Sequence, residues 1–143
     1  MKSTNKPYCD GTLTEAALRS KIINALRKVS MFWKPKSTAI KRALAGQRIN
    51  PKTSKNKNYY ICELTGEKLW LDEIKADHIE PVVPEKWGES TRFLGYNWNE
   101  YIARMFVEAE GYQAISKEAH AEKTKAENKL RKSKKSLESN RLI

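Results

Sequence analysis

One stretch of this sequence decides how the rest is interpreted: Ala76-Asp77-His78-Ile79-Glu80-Pro81-Val82-Val83. It contains one of only two histidines in the chain, and the other, His120, lies in an equally distinctive run over residues 115–124. Histidine is the side chain that either exchanges a proton near neutral pH or binds a metal ion. Two histidines in such settings, flanked by basic segments, favour chemistry on a phosphodiester over simple packing.

Asp77 and His78 are adjacent, so on a strand their side chains point to opposite faces, whereas at a strand end they can diverge around one phosphate. Hydrolysis of a phosphodiester needs an activated water, neutralisation of the phosphate charge and help for the leaving oxygen. A neutral imidazole can take the proton from water. A carboxylate and a second imidazole can hold a divalent ion that supplies the other two effects. Asp77, His78 and His120 are the minimal set, although an Asp-His pair alone is common and needs further context.

Charge is distributed unevenly along the 143 residues, which together carry a net +11. Residues 1–58 contain 14 Lys and Arg against 2 Asp and Glu, residues 59–120 contain 6 against 12, and residues 121–143 contain 8 against 3. Such a chain is expected to bind a polyanion, because neutralising phosphates releases condensed counterions. An acidic middle between basic flanks suits a cation-binding centre with arms that grip nucleic acid, but a structural protein embedded in RNA would share this profile.

Length and composition narrow the class of protein further. The length fits one domain, or a compact domain with arms. Two cysteines, Cys9 and Cys62, do not make a disulfide scaffold. Neither a run of about 20 apolar residues nor an apolar signal core is visible, so a cytoplasmic protein is expected.

Local patterns predict helices near the N-terminus. The run Thr12-Leu13-Thr14-Glu15 has the form of a capping box, with Thr12 as N-cap, and predicts a helix over about 13–30. Ser37 is expected to cap a second helix that continues through Leu44 and ends at Gly46.

The remainder predicts a mixture of strands and helices. A lysine-rich linker precedes a hairpin, then an extended segment that ends at Asp77 and His78, a loop, and a basic helix. The predicted ranges are linker 51–58, strand 59–62, turn 63–67, return strand 68–71, extended segment 74–79, loop 81–96, helix 98–110, apolar segment 112–119 and a basic helix from about 117 into the 130s. The expected core comprises Tyr60, Cys62, Leu64, Leu69, Trp70, Ile79 and Ile115.

Three motifs resemble those of one nuclease family. Asp77-His78-Ile79-x-Pro81-Val82-Val83 resembles the central signature of HNH endonucleases, the ββα-metal nuclease superfamily. Trp98-Asn99-Glu100-Tyr101-Ile102-Ala103-Arg104-Met105-Phe106 resembles the W-x-x-[YF]-I-x-R-x-F helix of a phage-type, homing-endonuclease subgroup. Residues 112–127 resemble that subgroup's final segment, L-Q-x-L-C-x-x-C-H-x-x-K-T-x-x-E. The likeness spans roughly residues 20–130 and includes upstream residues Ala25-Leu26-Arg27, Trp33, Pro35 and Ala43.

The resemblance implies an α+β fold with a small ββα-metal core, an N-terminal helical extension and a basic C-terminal helix. It implies a DNA endonuclease of a phage or mobile element, acting in the host cytoplasm, with one divalent ion, Mg²⁺ or Mn²⁺. By position, His78 resembles the general base, and Asp77 and His120 resemble the metal ligands. The implied products carry 5′-phosphate and 3′-hydroxyl ends. Lys123 and Thr124 would face the same region and could touch a phosphate.

Two departures from the family pattern stand out. Many relatives hold a structural zinc with four cysteines, which here correspond to Cys62, Thr65, Ser116 and Ala119, so no structural zinc is expected. The middle Asn of the family name falls near Gly111, which has no side chain to replace it. Asn97, Asn99 and Gln113 are the candidates for that role, so a degraded enzyme is a competing interpretation.

The predicted organisation is a basic DNA-binding extension and linker over 1–58, a nuclease core over 59–130 and a basic tail over 131–143. The residues expected to contact nucleic acid are Lys52, Lys55, Lys57, Lys123, Lys125, Lys129, Arg131 and Lys132. Phosphate contacts of this kind set register without reading sequence. Two rivals to a free-standing nuclease stay open: a non-catalytic nucleic-acid-binding or structural module, and a nuclease that acts inside a larger phage complex.

Overall fold

The chain is an α+β protein built from helices and two small antiparallel sheets. The computed structural model describes residues 5–89 and 91–141, with side chains as far as residue 133. Within them lie four α-helices, a three-stranded sheet and a two-stranded sheet. In chain order these are α1 (Glu15–Ser30), α2 (Lys34–Arg42), β1 (Leu44–Ile49), β2 (Asn56–Ile61), β3 (Lys68–Trp70), β4 (Ile74–His78), α3 (Trp98–Met105), β5 (Tyr112–Ser116) and α4 (Lys117–Arg141). No helix in this part of the chain combines the length and apolar character needed to cross a membrane.

Contacts divide the chain into two compact units. The first contains the described parts of 1–34 and 80–107, and the second contains the described parts of 35–79 and 108–143. These units follow packing, whereas the boundary predicted at residue 58 followed charge and the one at residue 130 followed the extent of the sequence resemblance; both stay predictions about function. The predicted tail over 131–143 belongs to α4 as far as Arg141, and the side chains beyond residue 133 lie outside the described residues.

Helix α1 begins two residues later than the capping pattern predicted. The hydroxyl oxygen of Thr14, not Thr12, accepts a hydrogen bond from the backbone N–H of Ala17 at 3.1 Å. Thr12 instead belongs to a tight turn in which its hydroxyl donates to the carbonyl of Cys9 at 2.6 Å. The prediction of Thr12 as N-cap is therefore wrong, because a local turn engages that hydroxyl before the helix starts.

The second predicted helix begins and ends earlier than expected, so Ser37 lies inside the helix and the prediction of Ser37 as its N-cap is wrong; a strand follows the helix. Helix α2 already begins at Lys34, with Pro35 in its first turn, where a missing N–H costs nothing. Leu44 does not continue the helix but opens β1, which pairs antiparallel with β2. The predicted linker at 51–58 is thus a turn followed by the first residues of β2. The pairing of β1 with β2 makes both segments extended, and local propensity does not encode this contact.

The second unit has a small apolar core between its two sheets. Strand β2 pairs with β1 and β3, and β4 pairs with β5, all antiparallel. The buried residues of this core are Ala43, Tyr60, Cys62, Leu69, Ile74, Ala114, Ile115 and Ala119. Tyr60, Cys62, Leu69 and Ile115 were predicted correctly. Leu64 and Ile79 are exposed and Trp70 is half-buried, because the first two lie in a turn and beyond a strand end, and Trp70 points away from the core.

The first unit has a separate core rich in aromatic rings. Trp87, Tyr101 and Met105 are buried there, and the ring centres of Trp87 and Tyr96 lie 5.1 Å apart. The indole N–H of Trp33 donates to the carbonyl of Val107 at 2.6 Å. Helix α3 stops at Met105 rather than at the predicted residue 110.

The thiol of Cys62 fastens the β2–β3 hairpin to the end of β5. Its sulfur accepts hydrogen bonds from the backbone N–H of Ser116 at 3.3 Å and of Thr65 at 3.4 Å. Burial raises the pKa of the Cys62 thiol, but hydrogen bonds from the Thr65 side chain and from the backbone of Ser116, Thr65 and Leu64 together outweigh burial, so the pKa is lowered. The thiol is a structural acceptor at the junction of the two sheets.

Replacing Cys62 with alanine should destabilise the protein. The change leaves two backbone N–H donors without their acceptor and opens a small void, at an expected cost of about 1–3 kcal/mol in the free energy of unfolding. Urea unfolding followed by circular dichroism measures it. The matched control is Cys9→Ala at an exposed position, where a change within about 0.5 kcal/mol is expected. Equal effects of the two variants would contradict this role of Cys62.

Candidate active site

The end of β4, the start of β5 and the first turns of α4 meet at one place in the second unit. In the β4–β5 register Asp77 pairs with Gln113, and His78 pairs with Tyr112. Helix α4 follows β5 directly, and the hydroxyl oxygen of Ser116 accepts a hydrogen bond from the Ala119 N–H at 3.0 Å. That bond satisfies one of the free donors at the helix start. His120 consequently lies in the first turn of α4.

The carboxylate of Asp77 is the centre of the site. One oxygen, Oδ1, lies 3.4 Å from Nε2 of His120. The other, Oδ2, accepts from Nζ of Lys123 at 2.6 Å and from the side-chain amide of Gln113 at 3.3 Å. The Asp77 side chain is only 12% exposed, so its negative charge needs these partners. The structure thus brings Asp77, His120 and Lys123 together, whereas Thr124, predicted to face the same region, is exposed.

Lys123 connects the helix to the strand end by more than charge. Its ammonium also donates to the backbone carbonyl of His78 at 2.6 Å and lies 3.8 Å from a carboxylate oxygen of Glu127. His120 and Lys123 share a helix face because they are three residues apart. The lysine therefore holds both Asp77 and the backbone of His78 against α4.

The imidazole of His78 lies on the other side of the strand from Asp77. Its ring centre is 4.7 Å from that of the fully buried Tyr112, with the planes at 54°. The ammonium of Lys36 lies 5.9 Å from the centre of the same tyrosine ring. Burial, and then repulsion by Lys75, lowers the pKa of Lys36. Adjacent strand residues thus present a carboxylate to one face and an imidazole to the other, as alternation along a strand requires.

The donors at Asp77 fit a hard divalent cation in part. Two ligands in neighbouring positions of an octahedral ion, each about 2.1 Å from it, stand about 3 Å apart, close to the 3.4 Å between Asp77 and His120. Among the side chains that the structure describes, at residues 5–89 and 91–133, no group of three or more His, Cys, Asp and Glu is placed to hold a metal. The small number of protein ligands is compatible with Mg²⁺, which keeps several waters and binds through one or two carboxylates together with substrate phosphates, but the imidazole of His120 is not a ligand type that Mg²⁺ prefers.

The four positions that correspond to the zinc-binding pattern are connected by hydrogen bonds, but only one of them carries a thiol. Cys62 accepts from the backbone of Thr65 and Ser116, and Ser116 accepts from the backbone of Ala119. Hydrogen bonds thereby connect all four positions at the base of the site.

The candidates for the missing asparagine have different roles in the structure. Gly111 contributes its backbone carbonyl, which accepts from the Ile79 N–H at 3.0 Å just beyond the end of β4. Gln113 reaches the Asp77 carboxylate. Asn97 caps α3 by accepting from the Glu100 N–H, and Asn99 is an exposed residue of that helix. Gln113 is therefore a candidate that contacts a site residue.

The predicted nucleic-acid contacts are spread over the second unit. Lys123 belongs to the site, whereas Lys52 and Lys55 are exposed in the turn between β1 and β2, and Lys57 is half-buried in β2. Four further cations and Thr124 are exposed along α4 beyond His120; the cations are Lys125, Lys129, Arg131 and Lys132. Of the cations predicted to contact nucleic acid, Lys123 therefore lies at Asp77, and the others are distributed over the β1–β2 turn, β2 and the later part of α4.

Three contributors to the site were not predicted as such. Gln113 was expected to replace an asparagine, and its contact with Asp77 follows from the β4–β5 register, which required β5 to be identified as a strand. Tyr112 follows from the same register as the partner of His78. No local signal marks Lys36, which lies 76 residues before Tyr112 in the chain.

No match is found when the chain is compared with protein-family models, with curated proteins or with solved structures. The chemistry of the site therefore depends on the properties of its own residues. Those residues are a carboxylate with an imidazole at its edge, a lysine that joins strand to helix, and a second imidazole across the strand.

Replacing Lys123 with methionine should destabilise the fold, because it removes the cation paired with the poorly exposed Asp77 carboxylate. The expected loss is about 1.5–3 kcal/mol in the free energy of unfolding, the range for hydrogen bonds to charged groups. Urea denaturation measures it. Lys125→Met, on an exposed part of the same helix, is the matched control and should change little. A loss no larger than that of the control would show that Lys123 does not hold the strand end.

Proposed function

We propose that this protein is a divalent-metal-dependent endonuclease that hydrolyses phosphodiester bonds in DNA. The observation that carries the proposal is the meeting of the Asp77 carboxylate and the His120 imidazole, 3.4 Å apart, at the end of the strand that also bears His78. A carboxylate, an imidazole for a metal and a second imidazole for a proton are the groups that this reaction needs.

The arrangement of the elements supports a ββα-metal core. Strands β4 and β5 are antiparallel neighbours, and α4 follows β5 with its first turns against the Asp77 carboxylate. The hydrogen bond between Cys62 and Ser116 gives further support, because it joins the two local pairs Cys62/Thr65 and Ser116/Ala119, which correspond in sequence to the zinc-binding cysteines of that superfamily.

In the proposed reaction His78 acts as the general base. Its imidazole takes a proton from a water molecule, whose oxygen forms a new bond to phosphorus as the bond to the 3′-oxygen breaks. The leaving oxygen takes up a proton from solvent, giving 5′-phosphate and 3′-hydroxyl ends. The ring contact with Tyr112 holds the imidazole beside the strand end, because Tyr112 is itself fully buried.

Asp77 and His120 would hold the metal ion. A bound Mg²⁺ or Mn²⁺ supplies positive charge for the phosphate and for the departing oxygen. Lys123 orients the Asp77 carboxylate through Oδ2, which leaves Oδ1 on the side of His120. The ammonium of Lys36, near Tyr112, is a further positive charge on the side of His78.

One observation favours a second candidate, a nucleic-acid-binding protein that retains the fold without cleaving. The ammonium of Lys123 already pairs with Asp77 at 2.6 Å, and a lysine can replace a metal ion as the counter-charge. Gly111 also offers no side chain where the family has an asparagine. Both candidates bind DNA, and only the nuclease breaks it.

Supercoiled plasmid with Mg²⁺ or Mn²⁺ separates the two candidates. The wild-type protein should convert it to nicked or linear DNA, and His78→Ala should reduce that conversion by about 100-fold or more, the contribution typical of a general base. DNA binding, measured by fluorescence anisotropy, should be nearly unchanged in the variant. EDTA should stop cleavage while circular dichroism shows that the protein stays folded.

Control measurements show whether a loss of cleavage by His78→Ala is catalytic or structural. His78→Ala must keep the wild-type unfolding midpoint within a few degrees, or the loss of cleavage is structural. Equal loss of binding and cleavage would make His78 a structural residue. Binding without cleavage by the wild type, with either metal and on varied DNA, would overturn the nuclease proposal in favour of the binding protein.

A further inference from the structure

The outer face of the three-stranded sheet carries an array of cations on aromatic rings. Neighbouring strands place Arg48 in β1, Lys57 and Tyr59 in β2, and Lys68 and Trp70 in β3. Tyr59 pairs directly with Trp70, and Arg48 pairs with Lys57. These five residues form what we call the cation face. The opposite face of the sheet bears Tyr60 and Leu69 and is buried in the core.

The rings hold the cations in fixed positions. The Arg48 guanidinium carbon lies 4.8 Å from the ring centre of Trp70 and 5.4 Å from that of Tyr59. The ammonium of Lys57 lies 5.2 Å from the Trp70 ring, and that of Lys68 lies 5.8 Å from the Tyr59 ring. Such contacts attract cations to the ring face. Three positive charges are therefore gathered on one sheet surface and restrained there, so little side-chain entropy is lost when they bind a ligand.

The tyrosine ring of the cation face lies against a glycine of β1. Gly46 pairs with Tyr59 and has a φ of 155°, a conformation that other residues rarely adopt. A Cβ there would stand 3.4 Å from the Tyr59 ring. The Tyr59 ring packs over this glycine, and its face contacts the Arg48 guanidinium.

Within the three strands every charged residue is a cation, although Glu67 and Glu73 flank β3 in the chain and the Glu73 carboxylate accepts a hydrogen bond from the Trp70 N–H at 3.0 Å. The three strands contain no Asp or Glu, and no acidic residue occurs in the sequence between Glu15 and Glu63. The turn between β1 and β2 adds Lys52 and Lys55 at the end of the sheet. Such a surface is complementary to a polyanion.

We propose that the cation face binds the phosphate backbone of duplex DNA. The proposal rests on the proposed function in taking DNA as the partner, and it adds a binding surface distinct from Asp77 and His120. Because cations already cover the ring faces, the rings position charge rather than stack on unpaired bases. Contacts to phosphates, which a duplex presents along both strands, match that arrangement.

The test is the salt dependence of duplex binding, measured by fluorescence anisotropy in EDTA so that cleavage plays no part. The variant Arg48→Gln/Lys57→Gln/Lys68→Gln is compared with Lys6→Gln/Lys41→Gln/Lys86→Gln, which removes the same charge at exposed positions. Each phosphate contact contributes about 0.9 to the slope of log K against log salt. We expect the first variant to lower the slope by about 2–3 and the affinity by about tenfold or more, and the second to change both little.

A ring variant distinguishes the role of the aromatics. Tyr59→Leu/Trp70→Leu keeps every charge, so it should weaken duplex binding several-fold with little change in slope. A selective loss of single-stranded DNA binding in this variant would mean that the rings stack on bases, and would overturn the proposed contact. Equal effects of the two charge variants would also overturn it, since only net charge would then matter. Cleavage of plasmid is scored separately, so either proposal can fail alone.

Discussion

The negative charge of Asp77 is the constraint on which the second unit depends. A carboxylate that is only 12% exposed must be compensated, and the fold does this with three groups from two elements. Lys123 and His120 come from α4 and Gln113 from β5, all directed at a residue of β4. The same contacts that stabilise the charge therefore fix the helix against both strands. The Asp77 carboxylate and its partners thus serve both the stability of the fold and the proposed chemistry.

A second set of hydrogen bonds in the same unit is centred on the sulfur of Cys62. It accepts hydrogen bonds from the β5–α4 junction and from the hairpin turn. Glu63 adds to this, because its carboxylate accepts from the Ala114 N–H at 2.8 Å and from the Arg42 guanidinium at 2.9 Å. Hydrogen bonds thus connect α2, the hairpin and β5.

Sequence patterns predicted the hairpin, β4 and α4 because their signals are local. Glu63 to Glu67 contains the glycine that the turn needs, and α4 has helical spacing over many residues. Strand β1 was missed because its residues are mostly exposed and become a strand only by pairing with β2. The proximity of Asp77 and His120 was expected from a resemblance, not from spacing. The Lys36 contact joins residues far apart in the chain, which no local pattern can encode.

Binding of Mn²⁺, followed by electron paramagnetic resonance, tests the central claim most directly. The claim is that Asp77 and His120 together form a divalent-cation site. One ion should bind per wild-type chain, and Asp77→Asn and His120→Ala should each weaken binding by about tenfold or more, as expected when one of two protein ligands is lost. Glu118→Gln, an exposed carboxylate nearby in the chain, should bind Mn²⁺ like the wild type. Equal binding by all four proteins would contradict the claim.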